Sequence, residues 1–311
     1  MAAEGRIRPH VAVSPLWHAP ALSAFLGTEI WIKGEALSPL ASFKLRGAMN
    51  HLLSVPGAAR AVTSSTGNHG QGVAFAARLL GMKADIFLPH GSPQIKRDAI
   101  ERLGATLHVG GADLDEAKEL ARVFADAHQA AFIDDGESPE VIAGAGTVGL
   151  EIARQLPDAD VVFTPVGAGC LAAGTAMGLK AAGARARVVG VQSAQTPCMI
   201  LSFHAKRPIS HDVTTICDCL NQRIPPELSL AAMIAHCADA MTVEDSECLS
   251  AMKMAMTLGH MLIEPGTAAS LAGAWKRRAE LKGKKVVLVF SGANVDAEMI
   301  SRAMASPDLV A

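Results

Sequence analysis

Lys44 stands between Phe43 and Leu45 in the stretch Ala41-Ser42-Phe43-Lys44-Leu45-Arg46-Gly47-Ala48-Met49-Asn50. An amine set among apolar neighbours is desolvated, and desolvation disfavours the ammonium form. Such a lysine serves as a nucleophile or Schiff-base partner near neutral pH. The same tripeptide equally suits a lysine that opens a helix and reaches water along its methylene stem. Its company decides between the two. Ser64-Ser65-Thr66-Gly67-Asn68-His69-Gly70-Gln71-Gly72 gathers hydroxyls, an amide and N–H groups ahead of a helix. That setting suits a carboxylate, a ring oxyanion or a phosphate. As a plain connection it would be an N-capped turn with Asn68 in the left-handed region, but nine small and polar residues exceed what a cap requires.

Thr164-Pro165-Val166-Gly167-Ala168-Gly169-Cys170-Leu171-Ala172 follows an apolar run and opens a helix, so it presents successive N–H groups to an anion. It also satisfies the dinucleotide pattern G-x-G-x-x-A, which expects an acid about 20 residues on. The next strand ends Val191-Gln192-Ser193 without one, while Arg185 and Arg187 keep an NADP reading open. Ser291-Gly292-Ala293-Asn294 closes one more turn of the same kind.

The elements that position these turns alternate strand and helix. Period and punctuation place strands over 29–33, 61–63, 84–88, 106–109, 131–133, 161–166, 188–191, 240–243 and 285–290. Helices fall over 43–53, 72–80, 93–103, 113–128, 139–156, 171–181, 226–236, 245–260 and 264–281. Short connections between them imply parallel sheets covered by helices on both faces. Ligands in such folds lie at the carboxyl ends of strands. Four turns qualify: 64–70, 166–171, 192–197 and 291–294.

Composition narrows the function further. The chain has 311 residues, enough for two domains. Its net charge is −2 with no basic block, and tyrosine is absent, which argues against nucleic acid or an anionic membrane as partner. Residues 1–20 show no secretory signal. The uncharged run 161–179 is long enough to test as a membrane span but contains Pro165 and reads as strand, turn and helix. The six cysteines form no disulfide framework and suit a reducing, cytoplasmic setting; Cys217-Asp218-Cys219 is too short a spacing for a zinc clip. The eleven histidines show no paired metal spacing, and no metal is expected.

Taken in order, Ser42-Phe43-Lys44-Leu45-Arg46-Gly47-Ala48, the turn 65–71, Val141-Ile142-Ala143-Gly144-Ala145-Gly146-Thr147, the stretch 165–174, Ile263-Glu264-Pro265 and the turn 291–294 resemble the fold-type II pyridoxal-phosphate enzymes. Within these the likeness is to the serine/threonine dehydratase and serine racemase group, and it covers nearly the whole chain. The resemblance implies an α/β fold like the tryptophan synthase β chain, with two parallel-sheet domains and the active site between them. Residues 1–51 and 141–311 would form a large cofactor domain, and 52–140 an inserted substrate domain.

The resemblance also implies roles. Lys44 forms the Schiff-base link to pyridoxal 5'-phosphate and later acts as base for the α-proton. Phe43 packs on the cofactor ring, Asn68 binds its ring oxygen, and Gly167, Ala168, Gly169, Cys170 and Leu171 cradle its phosphate. Glu264 belongs to the cofactor site, and Ser291 faces the pyridine nitrogen. Ser65, Thr66, Gly67 and His69 surround the substrate carboxylate, with Gly136 and Cys219 nearby. A neutral serine at the ring nitrogen makes a weaker electron sink than an acid would, which favours expulsion of a β-substituent. The implied activity is an ammonia-lyase turning a β-hydroxy amino acid into a 2-oxo acid and ammonia. A family-level homodimer goes with it, without the C-terminal regulatory domain of the allosteric threonine dehydratases.

Several positions depart from the family pattern. Thr66 stands where racemases carry a serine acid/base, so racemisation is the alternative activity, though its β-branch restricts χ1. Gln192, Thr196 and Cys198 lack the carboxylates of the family's cation site. Cys219 replaces a glycine, and Asp134-Asp135-Gly136 replaces a His-Pro-Asn/Phe-like segment beside the cofactor. Ala168 and Cys170 replace phosphate-loop glycines, which restricts backbone angles. These changes leave room for a bulkier substrate such as a 3-phenylserine. The rival classes are a nucleotide-dependent oxidoreductase and a non-catalytic cofactor carrier.

Overall fold

The computed structural model describes residues 1–92 and 94–310, with Ile95 described by its backbone alone. Pro93, expected near the start of a helix, lies outside the described residues. In chain order the first elements are α1 (Ala2–Ile7), β1 (Leu16–His18), α2 (Pro20–Leu26), β2 (Glu29–Lys33), α3 (Lys44–Ser54), β3 (Arg60–Ser64) and α4 (Asn68–Leu79). Then come β4 (Lys83–Leu88), α5 (Gln94–Glu101), β5 (Thr106–Val109), α6 (Leu114–Ala127), β6 (Ala131–Phe132), α7 (Pro139–Gln155) and β7 (Val161–Pro165). The remainder is α8 (Cys170–Ala181), β8 (Arg187–Ser193), α9 (Cys198–Ala205), α10 (Glu227–His236), β9 (Asp239–Val243), α11 (Asp245–Thr257), α12 (Pro265–Lys276), β10 (Lys285–Val289) and α13 (Ala297–Ala305).

Two compact units share these elements. The first comprises Met1–Ala12 and Phe43–Ala145, the second Val13–Ser42 and the chain from Gly146 onward. In the first, four strands pair in the order β5-β4-β3-β6, all parallel. In the second, six strands pair in the order β1-β2-β10-β7-β8-β9, parallel except for β1 against β2. Every residue of β7 is buried, as a continuous apolar run in a doubly covered parallel sheet should be. Phe163, Leu288, Phe290, Ile30 and Ile32 form its core with Ala268, Leu271 and Ala272 of α12. Burying one such large side chain contributes about 2 kcal/mol.

Helix α3, expected in the larger domain, groups with residues 52–140. Arg6 Nε of α1 donates to Asn50 Oδ1 at 2.9 Å, and Asn50 Nδ2 donates to the Glu140 carbonyl at 2.7 Å. Both anchors belong to the first unit. Among the described residues no helix is long and apolar enough to cross a membrane. The run 161–179 is β7, a turn and most of α8.

Candidate active site

Each sheet has one point where strand order reverses. In the first unit the chain steps from β3 to β4 to β5, then returns to β6 on the other side of β3. In the second it steps from β7 to β8 to β9, then returns to β10 on the other side of β7. The carboxyl ends of strands at such points open the crevice where α/β folds bind ligands. The turns 65–67 and 133–138 therefore mark the candidate region of the first unit, and the turns 166–169 and 290–294 that of the second. The fourth expected turn, 192–197, has another use. Gln192 Oε1 accepts from the N–H groups of Met199 and Ile200 at 3.1 and 3.4 Å, capping α9.

In the first unit Lys44 is the first residue of α3. Its backbone and Cβ lie against α4 at Gly72, where a Cβ would come within 3.0 Å of Lys44 Cβ. Its Nζ lies 4.9 Å from the centre of the Phe43 ring and forms an ion pair with Asp135 Oδ2. The turn after β6 delivers that carboxylate. Asp134 Oδ1 accepts from the N–H groups of Gly136 and Glu137 at 3.0 and 3.1 Å, and its Oδ2 meets Lys118 Nζ at 2.6 Å and Arg122 at 3.3 Å on α6. Burial works to raise the Asp134 carboxyl, but Lys118 and the two backbone donors outweigh it and hold it below the usual carboxylate range. Gly136 is thus placed as part of the turn that aims Asp135.

His69 faces the same carboxylate. Its Nε2 lies 3.3 Å from the Ile133 carbonyl, and its Nδ1 lies 3.6 Å from Asp135 Oδ1, in ion-pair range but without a hydrogen-bond partner. Burial pushes the imidazole down from its ordinary value; Asp135 opposes that and Lys44 reinforces it. Ser65, Thr66 and Gly67 form the turn into α4, with Ser65 Oγ accepting from the Gly67 N–H at 3.2 Å. Gly67 is the N-cap residue, no side chain caps the helix, and Asn68 is helical rather than left-handed. The N-cap residue of α4 thus supplies no side-chain cap, and Ser64 Oγ is buried without a partner beside it. A polar ligand is what such groups accommodate.

In the second unit Gly169 is the N-cap of α8, at φ +92 and again with no side-chain cap. A Cβ on Gly169 would lie 2.7 Å from Met199 Cε and take a left-handed backbone that side chains rarely adopt. Ala168 and Cys170 are not among the residues at positive φ. The restriction expected at those two positions does not arise, because glycine is retained at 169, where the backbone is left-handed, and at 167, where a Cβ would lie 2.8 Å from the Cys219 carbonyl oxygen. Gly167 to Leu171 therefore form a helix start whose N-cap residue has no side chain, the kind of turn that holds a phosphate.

Ser291 ends β10's turn and is 5% exposed. Its Oγ lies 2.8 Å from Thr267 Oγ1, which in turn accepts from the Gly292 N–H at 2.8 Å. With that N–H fixed, Thr267 can donate to Ser291 and leave the serine proton free to point outward. The same loop grips residues 40–42: Ser42 pairs with Gly292, the Ala293 N–H donates to Ala41 O at 2.9 Å, and Asn294 Nδ2 donates to Leu40 O at 2.9 Å. Glu264, the buried N-cap residue of α12, lies with its carboxylate against Gly292. Asp218, Cys219 and Glu264 bring three groups able to hold a metal within 4.8 Å of one another. Cys219 and Glu264 were expected at the substrate and cofactor, with no metal.

Sequence reasoning gives no role to two residues of the candidate site. Asp135 enters it only as part of a segment beside the cofactor; it sits 91 residues from Lys44, a distance that no local pattern spans. Thr267 carries a weak signal, being a hydroxyl residue in the first turn after Ile263-Glu264-Pro265.

A family model described as pyridoxal-phosphate-dependent enzyme matches residues 7–292. L-threonine ammonia-lyase of Thermotoga maritima is 35% identical over 291 residues, covering 92% of this chain and 72% of that protein. The chain spans 48% of a threonine dehydratase from Solanum lycopersicum. Among solved structures, the processed form of threonine deaminase isoform 2 from Solanum lycopersicum matches with TM-score 0.89 and 33% identity, covering 94% of this chain and 82% of that one. Maize serine racemase matches with TM-score 0.91 and 27% identity, covering 97% and 94%.

Proposed function

Because the chain belongs to the family of pyridoxal-phosphate-dependent enzymes, we propose that it is a dehydratase converting a β-hydroxy amino acid of the L-threonine or L-serine type to a 2-oxo acid and ammonia. The observation that carries this reading is the Lys44 amine, set on the first turn of α3 against Asp135, at the turns where the first sheet reverses strand order. The names of the relatives support the same reaction class, and with them the oxidoreductase and carrier readings fall away. Bound pyridoxal phosphate supplies the electron sink that makes a substrate Cα proton acidic.

The chain's own residues do the rest. Lys44 holds the cofactor covalently and, once released, takes the Cα proton at Nζ. The N–H groups of Gly167, Ala168, Gly169, Cys170 and Leu171 hold the phosphate. Asn68 donates to the ring oxygen and Phe43 packs on the ring. Ser291, oriented by Thr267, donates a neutral hydrogen bond to the ring nitrogen and so favours loss of the β-hydroxyl as water. Ser65, Thr66 and Gly67 receive the substrate carboxylate, with His69 at the same turn. Glycine at 136 leaves room beyond the β-carbon, which extends the substrate range to 3-phenylserine.

Thr66 supports a second, minor reading. A hydroxyl at that position is a candidate to return a proton to the opposite face, and a serine racemase is among the structural neighbours. Incubating the coloured enzyme with L-serine, L-threonine and L-threo-phenylserine separates the outcomes. Equal amounts of 2-oxo acid and ammonia are expected. D-amino acid as the sole product would replace the dehydratase with the racemase.

A further inference from the structure

The reading of Lys44 as anchor and base leaves one requirement unmet. The amine must be neutral to act, yet it rests against a carboxylate that favours the ammonium. The proton it sheds needs a place to go, and the first unit contains a buried acceptor at the right position. His69 is 4% exposed; its Nε2 is turned to the Ile133 carbonyl and its Nδ1 has no hydrogen-bond partner. That Nδ1 lies 3.6 Å from Asp135 Oδ1, while Asp135 Oδ2 is paired with Lys44 Nζ. Imidazole, carboxylate and amine therefore stand in line. The turn that aims Asp135 is fixed from behind by Asp134 with Lys118 and Arg122.

We propose that Lys44, Asp135 and His69 form a relay that holds one proton between the amine and the imidazole. In the resting form the proton is on Lys44 Nζ and His69 is neutral. In the reactive form an N–H bond at Nζ has broken and one at His69 Nδ1 has formed, so Lys44 is a free amine and His69 an imidazolium. Asp135 stays ionised and bridges both, and the charge of the trio sums to zero in either form. Protonating Nδ1 turns a contact between a lone pair and a carboxylate into a charge-assisted hydrogen bond. Asp135 touches the reacting nitrogen and is catalytic in this scheme, whereas His69 acts through it. The other titratable groups that bear on His69 are Asp134, which favours its protonation, and His51 of α3, which disfavours it when charged. The proposal rests on Lys44 being the reactive amine. It also assigns both His69 nitrogens inward, leaving the substrate carboxylate to the turn's N–H and hydroxyl groups.

The test is an NMR titration of the His69 ring in the full-length chain stripped of cofactor. Lys44→Met removes the cation and should raise the His69 midpoint by about one pH unit or more, a rise of about tenfold in the ratio of protonated to neutral ring at a fixed pH. Lys44→Arg keeps a fixed cation and should leave His69 near the unsubstituted chain. Asp135→Asn in the Lys44→Met background should abolish the rise, and Asp135→Glu should restore part of it. A midpoint unmoved by Lys44→Met, or a rise that persists without the Asp135 carboxylate, overturns the relay. Because no cofactor is present, these results stand apart from the cofactor reading. That reading fails separately if the chain takes up no pyridoxal phosphate.

Discussion

The candidate regions of the two units are built from different materials. In the first unit the groups at the strand ends are titratable side chains: Lys44, Asp135 and His69, with Asp134 behind them. In the second they are chiefly backbone N–H groups and hydroxyls, set by Gly169 at the α8 N-cap and by the Thr267–Ser291 pair. The contrast teaches where each kind of sensitivity resides. On the proposed reading, charge and pH act at the Lys44 group, which would move protons. Shape acts at the Gly169 turn, which would hold a rigid, anionic cofactor without moving any.

Breaking the contrast on the first side has the largest expected effect. Lys44→Ala should lower 2-oxo acid formation by about 10³-fold or more, since it removes both anchor and base; turnover at the unsubstituted rate would remove Lys44 from the chemistry. On the second side, Gly169→Val forces a β-branched residue into φ +92 with Met199 Cε in the way. A strain of about 2 kcal/mol or more corresponds to a loss of roughly 30-fold in cofactor affinity, read by titrating the stripped enzyme with pyridoxal phosphate. The loss should be the same at pH 6 and pH 8, and a pH-dependent loss would contradict the division of labour.

Asp134→Ala should loosen the turn that carries Asp135 and cost about 1–3 kcal/mol of stability, measured by urea unfolding. The sign with pH follows from its depressed carboxyl. The contribution is present above the unfolded value near 3.8 and is lost as pH falls from there through the lower folded value, so the difference between the two proteins should close in acid. A gap that stays constant below that window would show that the ion pairs are not its source. Thr267→Val is the mildest change. It removes one buried hydroxyl behind Ser291 and should reduce kcat about 5-fold, equivalent to ~1 kcal/mol, with cofactor retained.

Much of the fold is legible because the β–α alternation is regular and its stops are local. Gly81 and Gly104 follow helices at positive φ, as expected of glycine terminators. The strand 161–166 reads as doubly buried from its unbroken apolar run, and it is. Lys44, the 65–69 turn and the 167–171 turn are legible for the same reason: each is a contiguous pattern beside a predicted helix start. The segment of Asp135 is legible as a neighbour of the cofactor, but its pairing with Lys44 is not, since that comes from β6 being laid beside β3, a pairing of only two residue pairs. Thr267 gains its role only when β10 delivers Ser291 to the start of α12. The expected domain boundary missed α3 because the polar ties through Asn50, which bind it to α1 and Glu140, leave no trace in periodicity.

Borohydride reduction of the coloured enzyme followed by peptide mapping decides whether Lys44 carries the cofactor. A phosphopyridoxyl group on the peptide containing Lys44, absent in Lys44→Ala, is the expected result. Modification of another lysine in its place, or of none, would show that Lys44 is not the anchor.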